Sequence, residues 1–254
     1  MKIYPKKSLG QNYLIDENIC RKIVSTFNIE PNDIVIEIGP GKGAITKFIL
    51  EKTNNLRVIE LDSNNCAILN SKFPELKIIN KDFLKIDLTE SASESKIRII
   101  GNIPYNITSE IVFKLIDNRN IITDSQLMIQ NEVAKRLTAN HGSKEYGIPS
   151  VFVQVFSEPK MLFKVPGSCF FPKPKVDSRI IYFDFSKSTE NKISDVKFFK
   201  RFVKTAFSTR RKTLKNSLGS MNLELGKADF DFTRRAESLS VDEFIELSNT
   251  LTPI

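Results

Sequence analysis

Ile34-Val35-Ile36-Glu37-Ile38-Gly39-Pro40-Gly41-Lys42-Gly43 (residues 34–43) decides how the chain is built. Its first half is apolar and β-branched apart from one glutamate, the pattern of a strand buried on both faces. Three glycines follow and give a turn into AITKFILEK (44–52), which reads as a helix. Strand, glycine turn and helix make the first half of a βαβ unit. There a ligand can approach bare backbone close to a helix N-terminus, because Gly39, Gly41 and Gly43 carry no Cβ.

The same alternation extends outward on both sides. Upstream, ENICRKIVSTF (17–27) places Ile19, Ile23 and Phe27 on one helical face, with Asp16 as its N-cap. Downstream, LRVIEL (56–61), LKIIN (76–80), IRIIG (97–101) and QLMIQ (126–130) read as strands. Between them SNNCAILNSKF (63–73), with Ser63 as its cap, and TSEIVFKLID (108–117) read as helices. Strands and helices in this rhythm predict a parallel sheet whose strand C-termini share one edge, the edge where ligands bind. After Gly147 come IPSVFVQVF, KMLFKV and SRIIYFDF, separated by a proline-dense stretch with Pro159, Pro166, Pro172 and Pro174. SKSTENKIS (186–194) is polar and breaker-rich and reads as a linker. The expected division is therefore an α/β domain over 1–186 and a helical, basic domain over 187–254.

Composition narrows the chemistry. The 254 residues carry 38 Lys and Arg against 30 Asp and Glu, and the net charge of +8 favours a polyanionic partner. His141 is the single histidine and stands in a polar loop, so Ser-His-Asp hydrolysis and histidine metal clusters are poor fits. Cys20, Cys66 and Cys169 are odd in number and far apart, which argues against a disulfide framework or a zinc knuckle. They read as packing residues of a cytoplasmic protein. No apolar run approaches the ~20 residues that span a bilayer, and MKIYPKKSLGQNYL lacks the apolar core of a signal peptide.

Three features at the strand ends carry chemistry. Glu60 closes the second strand about 20 residues after Gly39, where a carboxylate accepts hydrogen bonds from ribose hydroxyls. Asp82 follows the third strand on the same edge and can face an adenine base. The fourth strand runs into Asn102-Ile103-Pro104-Tyr105. An adenine amine is a poor nucleophile because its lone pair is delocalised into the ring. The Asn102 amide oxygen and the Ile103 carbonyl, held by the rigid Pro104, can accept its two N–H bonds and localise that lone pair, while Tyr105 stacks on the extruded base. In the C-terminal region, residues 197–216 hold eight Lys and Arg and no Asp or Glu. Lys204, Arg210, Arg211, Lys212 and Lys215 are candidate phosphate contacts, with Lys6 and Lys7 as possible additions.

These motifs together resemble the ribosomal RNA adenine dimethyltransferases. The resemblance runs through KKSLGQNYLID (6–16), VIEIGPGKGAIT (35–46), VIELD (58–62), NKDFL (80–84), GNIPYNITSEI (101–111), QNEVAKRLTA (130–139), GSKEYG (142–147), FFPKPKVDS (170–178) and TAFSTRRKTLKNSL (205–218). It implies a Rossmann-like, S-adenosylmethionine-dependent methyltransferase fold with a seven-stranded, mostly parallel sheet ending in an antiparallel hairpin. A small C-terminal helical domain follows. It also implies a methyl donor and no metal. Asn12, Leu14, Glu37, Gly39, Gly41, Glu60, Asp82 and Asn102 are the implied cofactor contacts. Phe170 and Phe171 both precede Pro172, and the residues alone do not separate them; the family pattern picks Phe170 as the wall facing Tyr105 across the target adenine. GSKEYG and FSTRRKTLKNSL are similar to the small-subunit branch, whose partner is small-subunit ribosomal RNA in a pre-30S or 30S particle, methylated by a monomeric enzyme during ribosome biogenesis. Ile103 stands where that branch often has Leu. Macrolide-resistance enzymes acting on large-subunit RNA share the NIPY motif. An assembly factor with little catalysis would keep the basic tail. A nicotinamide oxidoreductase would leave NIPY unexplained.

Overall fold

The computed structural model describes residues 5–6, 9–92, 95–209 and 211–251. Among the described residues, nine strands and the helices between them form two compact units: residues up to Ala134 with Lys160–Ser186, and Lys135–Pro159 with the chain from Lys187 onward.

In the first unit, β1 (Tyr13–Leu14) precedes α1 (Glu17–Phe27), whose N-cap Asp16 accepts from the Ile19 N–H at 3.1 Å. The strand β2 (Ile34–Ile38) has the expected bounds. The helix expected over 44–52 is shorter, because the turn carrying left-handed Gly41 and Gly43 delays it, and α2 spans only Thr46–Ile49. Next come β3 (Leu56–Ile59), α3 (Ser63–Lys72), β4 (Lys77–Ile79), β5 (Ile97–Asn102), α4 (Thr108–Asp117) and β6 (Ile122–Gln130). Asp62, not Ser63, caps α3: its carboxylate accepts from the Asn64 N–H at 3.0 Å. The chain continues through α5 (Asn131–Leu137), α6 (Ile148–Phe156), β7 (Glu158–Val165), β8 (Phe170–Phe171) and β9 (Ser178–Asp184).

The seven-stranded sheet has the order β4-β3-β2-β5-β6-β9-β7. Every pair from β4 to β6 is parallel, and β9 runs antiparallel to β6. The chain leaves edge strand β4 and re-enters on the other side of β2 as β5. That reversal is the switch point at which sheets of this kind bind ligands. Here the backbones are tight: a Cβ on Gly101 would come within 2.5 Å of the Ile38 carbonyl oxygen. Leu69, Val58 and Ile100 belong to the core under this edge, which also takes in Cys20 and Cys169. All three cysteines are buried, and burial pushes the Cys20 thiol up to about 12.

In the second unit, α6, α7 (Val196–Ala206) and α9 (Val241–Thr250) pack through phenylalanines, with α8 (Leu214–Ser217) between them in sequence. Phe199 meets Phe152 and Phe156 at ring separations of 6.3 and 6.4 Å, and Phe207 stacks on Phe244 at 5.6 Å. This packing draws residues 135–159 into the second unit, whereas the sequence pattern predicts that everything through 186 belongs to the first. The polar stretch 186–194 is also anchored. The Thr189 N–H donates to the Val155 carbonyl at 2.8 Å, and Ser194 N–H to Asn249 at 2.9 Å. His141 lies exposed in a turn. No helix among the described residues is long and apolar enough to cross a membrane.

Candidate active site

The C-terminal ends of β2, β3, β4 and β5 open into a cavity of about 350 Å³, within the range of small-molecule sites. The segment Leu9–Ile15 lines one wall.

Glu60 stands one residue past β3. One carboxylate oxygen accepts from the Gly41 N–H at 3.0 Å and the Asn65 amide at 3.3 Å; the other accepts from the Asp62 N–H at 2.8 Å. Burial raises its pKa, and those three donors oppose the rise. The Gly41 bond needs the glycine. Its φ is +56°, and a Cβ there would press on the Tyr13 ring at 3.0 Å. Asp62 ties down the N-terminal stretch: it accepts from Lys6 at 2.8 Å and Gln11 at 3.0 Å. Burial pulls its carboxyl up, but Lys6, Gln11 and the Asn64 N–H outweigh that and hold it below the usual range.

Glu37 lies deeper. It is fully buried near the end of β2, accepts from the Thr46 hydroxyl at 2.6 Å, and burial pushes its pKa to about 8. Asp82 lines the cavity and caps the turn Phe83–Lys85 through the Leu84 N–H at 3.0 Å. Lys114 on α4 steadies that turn by donating to the Leu84 carbonyl at 3.0 Å.

Asn102 ends β5. Its amide nitrogen donates to the Asn12 carbonyl at 2.9 Å, which fixes the flip of the amide. Oδ1 is then the end with no protein partner among the described residues. Ile103, Pro104 and Tyr105 line the cavity beside it. The Tyr105 hydroxyl is bonded to the buried Ser178 hydroxyl at 2.6 Å, so the ring is held at both ends.

The structure thus gathers Asn12, Leu14, Glu37, Gly39, Gly41, Glu60, Asp82, Asn102, Ile103, Pro104 and Tyr105 around one cavity. It does not bring Phe170 there. Phe170 is 3% exposed and packs in the core, while Phe171 lines the cavity. The reason is strand parity: β8 pairs antiparallel with β1, with Phe170 opposite the buried Leu14 on the core side and Phe171 opposite the more open Tyr13. Tyr13, Asn65 and Gln11 are the contributors that sequence reasoning missed. Asn65 had a signal, since it lies in the first turn of the helix after Glu60; Tyr13 and Gln11 depend on a long-range pairing that no local pattern carries. No group of His, Cys, Asp and Glu among the described residues is arranged to hold a metal.

In the second unit, Lys197, Lys200, Arg201 and Lys204 share one face of α7, opposite the buried Phe199, Phe202 and Val203. Lys197, Arg201, Lys204, Arg211, Lys212 and Lys215 are exposed. Arg210 and Lys7 lie outside the described residues.

The profile of the family described as "Ribosomal RNA adenine dimethylase" matches residues 4–252. A protein of Chlorobium phaeobacteroides named "Ribosomal RNA small subunit methyltransferase A" is 47% identical over 98% of this chain and 94% of its own length. A namesake from Francisella tularensis subsp. novicida is 44% identical, covering 97% of each chain. A crystal structure of a dimethyladenosine transferase from Plasmodium falciparum superposes with a TM-score of 0.78 at 25% identity, over 92% of this chain and 95% of that one. The 23S rRNA methyltransferase ErmE shares the fold, with a TM-score of 0.75 at 22% identity over 94% and 99% of the two chains.

Proposed function

The chain belongs to the ribosomal RNA adenine dimethylase family, and on that premise we propose that it dimethylates the exocyclic amines of two adjacent adenines in the 3′-terminal hairpin loop of small-subunit ribosomal RNA. The particle it acts on is a pre-30S or 30S subunit in the cytoplasm, and it works as a monomer during subunit biogenesis. The observation that carries the reading is the orientation of Asn102, whose amide nitrogen is committed to Asn12 while its oxygen is turned out as an acceptor beside Tyr105.

S-adenosylmethionine, when bound, supplies an electrophilic methyl group. The residues present suit it. Glu60 offers acceptor capacity to ribose hydroxyls, Asp82 to an adenine amine, and Asn12, Leu14, Glu37, Gly39 and Gly41 complete the walls. Asn102 Oδ1 and the Ile103 carbonyl accept the two N–H bonds of the target amine, so its lone pair faces the methyl donor. As positive charge develops on that nitrogen its N–H groups become more acidic and donate stronger hydrogen bonds, so both acceptors gain in the transition state. Tyr105 fixes the plane of the base, which in an unpaired loop costs little to extrude.

Labelled S-adenosylmethionine with small-subunit particles, large-subunit particles and their naked RNAs is the test. Transfer to adenine in small-subunit particles is expected. Transfer to large-subunit RNA instead would place the chain with the macrolide-resistance enzymes, and no transfer with tight particle binding would make it an assembly factor. The exposed cations Lys204, Arg211, Lys212 and Lys215 bind phosphate in this reading. Neutralising the last three should flatten the salt slope of RNA binding by ~3; an unchanged slope would reduce them to a solvated face.

A further inference from the structure

Large apolar side chains exposed among the described residues are few, and three of them, Ile15 (60%), Leu61 (53%) and Phe171 (56%), line the same cavity. Phe171 is not exposed through disorder of its strand. It pairs with Tyr13 across β1 and β8, and the Ile15 N–H donates to the Cys169 carbonyl at 2.9 Å. Alternation sends Phe170 into the core and leaves Ile15 and Phe171 exposed on the cavity side, while Leu14, buried opposite Phe170, contributes to the inner wall.

Beyond Phe171 the chain turns through Lys173, Pro174 and Lys175, and both lysines are exposed. Asp177 closes this loop by accepting from the Gly167 N–H at 3.0 Å and pairing with Lys164 at 2.7 Å. An exposed aromatic ring carried on a paired strand at a cavity wall, followed by exposed cations, is the combination that holds unpaired nucleic acid, with bases on the ring and phosphates on the lysines. The interior already has a place for the target base between Asn102 and Tyr105. The rim does not belong to it.

Resting on the function proposed above, we propose that Phe171, with Ile15 beside it and Lys173 and Lys175 behind it, is a stacking platform for the nucleotide next to the adenine being methylated. Because the two target adenines adjoin, each would occupy this platform while the other is in the cavity.

The test uses the full chain and a hairpin RNA with two adjacent loop adenines, alongside versions in which the neighbour of the target is abasic. Phe171→Ala should weaken binding of the intact RNA about 5- to 150-fold, and Phe171→Trp should restore it to within a few-fold. On the abasic RNA the wild type should show the same loss, and Phe171→Ala should add nothing to it. Lys173→Ala with Lys175→Ala should lower the salt slope by ~2. The cofactor dissociation constant reports that each variant is folded. Equal losses from Phe171→Ala on intact and abasic RNA, or no loss on either, would overturn the platform. A wild type that methylates neither RNA nor particle would instead overturn the function on which the proposal rests.

Discussion

At the N-terminal ends of the parallel strands, Arg98 lies between Asp33 and Asp124. At their C-terminal ends, Glu37 and Glu60 are buried with no cation against them among the described residues. The arginine uses all of its donors. It makes a two-pronged contact with Asp124 at 2.9 and 2.7 Å, reaches Asp33 at 2.6 Å, and donates to the Phe27 and Asn28 carbonyls. Tyr182 adds a bond to Asp124 at 2.7 Å. These bonds hold the Arg98 pKa above its usual value against the pull of burial. The glutamates are satisfied only by N–H and hydroxyl donors, and burial leaves both pKa values raised. Full pairing closes one end of the sheet to any ligand. Incomplete compensation leaves acceptor capacity at the other, where a polyhydroxylated ligand can use it. One end is built for stability and the other for binding, and variants can separate them.

The largest effect should fall on the paired end. Arg98→Met would strand Asp124, which is 3% exposed, and a broken buried pair costs ~3–5 kcal/mol. Urea unfolding should show that loss with an unchanged m-value, while the folded protein binds S-adenosylmethionine as before. Loss of cofactor affinity in protein shown to be folded would mean that the two ends are not independent.

Asn102→Ala should do the reverse. On the proposed function it removes an acceptor that gains strength in the transition state, a loss of ~2.7–4 kcal/mol or about 100- to 1000-fold in rate. RNA binding should persist, and the unfolding midpoint should stay near that of the wild type. Single-turnover methylation at saturating cofactor isolates the step; a rate within a few-fold of wild type would move activation of the amine elsewhere.

Glu60→Ala comes next. On the proposed function it deletes charge-assisted bonds to the ribose, each worth ~1.5–3 kcal/mol, and calorimetric titration should then show the cofactor dissociation constant rising at least tenfold. Stability should change less, because relief of a buried charge offsets the loss of the Gly41 and Asp62 N–H bonds. A large loss of stability with unaltered cofactor affinity would make Glu60 a structural residue like Asp124.

The contrast also explains what could be read from the sequence. The strand at 34–38, the helices at 17–27 and 108–117, and the carboxylate after β3 were legible because period, caps and strand ends are local signals. Phe170 and Phe171 could not be separated that way, since which ring faces the cavity depends on a two-residue pairing with β1, more than 150 positions away. The Arg98 cluster was invisible for the same reason: Asp33, Arg98 and Asp124 are brought together only by the register of β5 with its neighbours. Tyr105 was legible as a ring but not in its bond to Ser178, which ties the NIPY motif to the end of FFPKPKVDS. Residues 135–159 left the first unit through contacts of Phe152 and Phe156 that no linker signal announces.

Near pH 5 the smallest effect, and the one most specific to the binding end, concerns Glu37, and it grows as pH rises. Its folded pKa of about 8 lies above the ordinary carboxyl value, so the folded protein holds a proton that the unfolded chain releases. The stability tied to that proton is fully present below the unfolded pKa and is lost as pH rises through the folded one. In this window, from about pH 4.5 to 8, the loss approaches ~1.4 kcal/mol per pH unit at most. Gln at this position keeps the acceptor for Thr46 and has nothing to titrate. Glu37→Gln should therefore match the wild type near pH 5 and become progressively more stable than it toward pH 8. Arg98 variants should show no such trend, because the guanidinium stays charged throughout this range. Parallel unfolding curves for Glu37→Gln and wild type across the whole window would mean that Glu37 is ionised in the fold and already compensated, and the distinction between the two ends of the sheet would then rest on Glu60 alone.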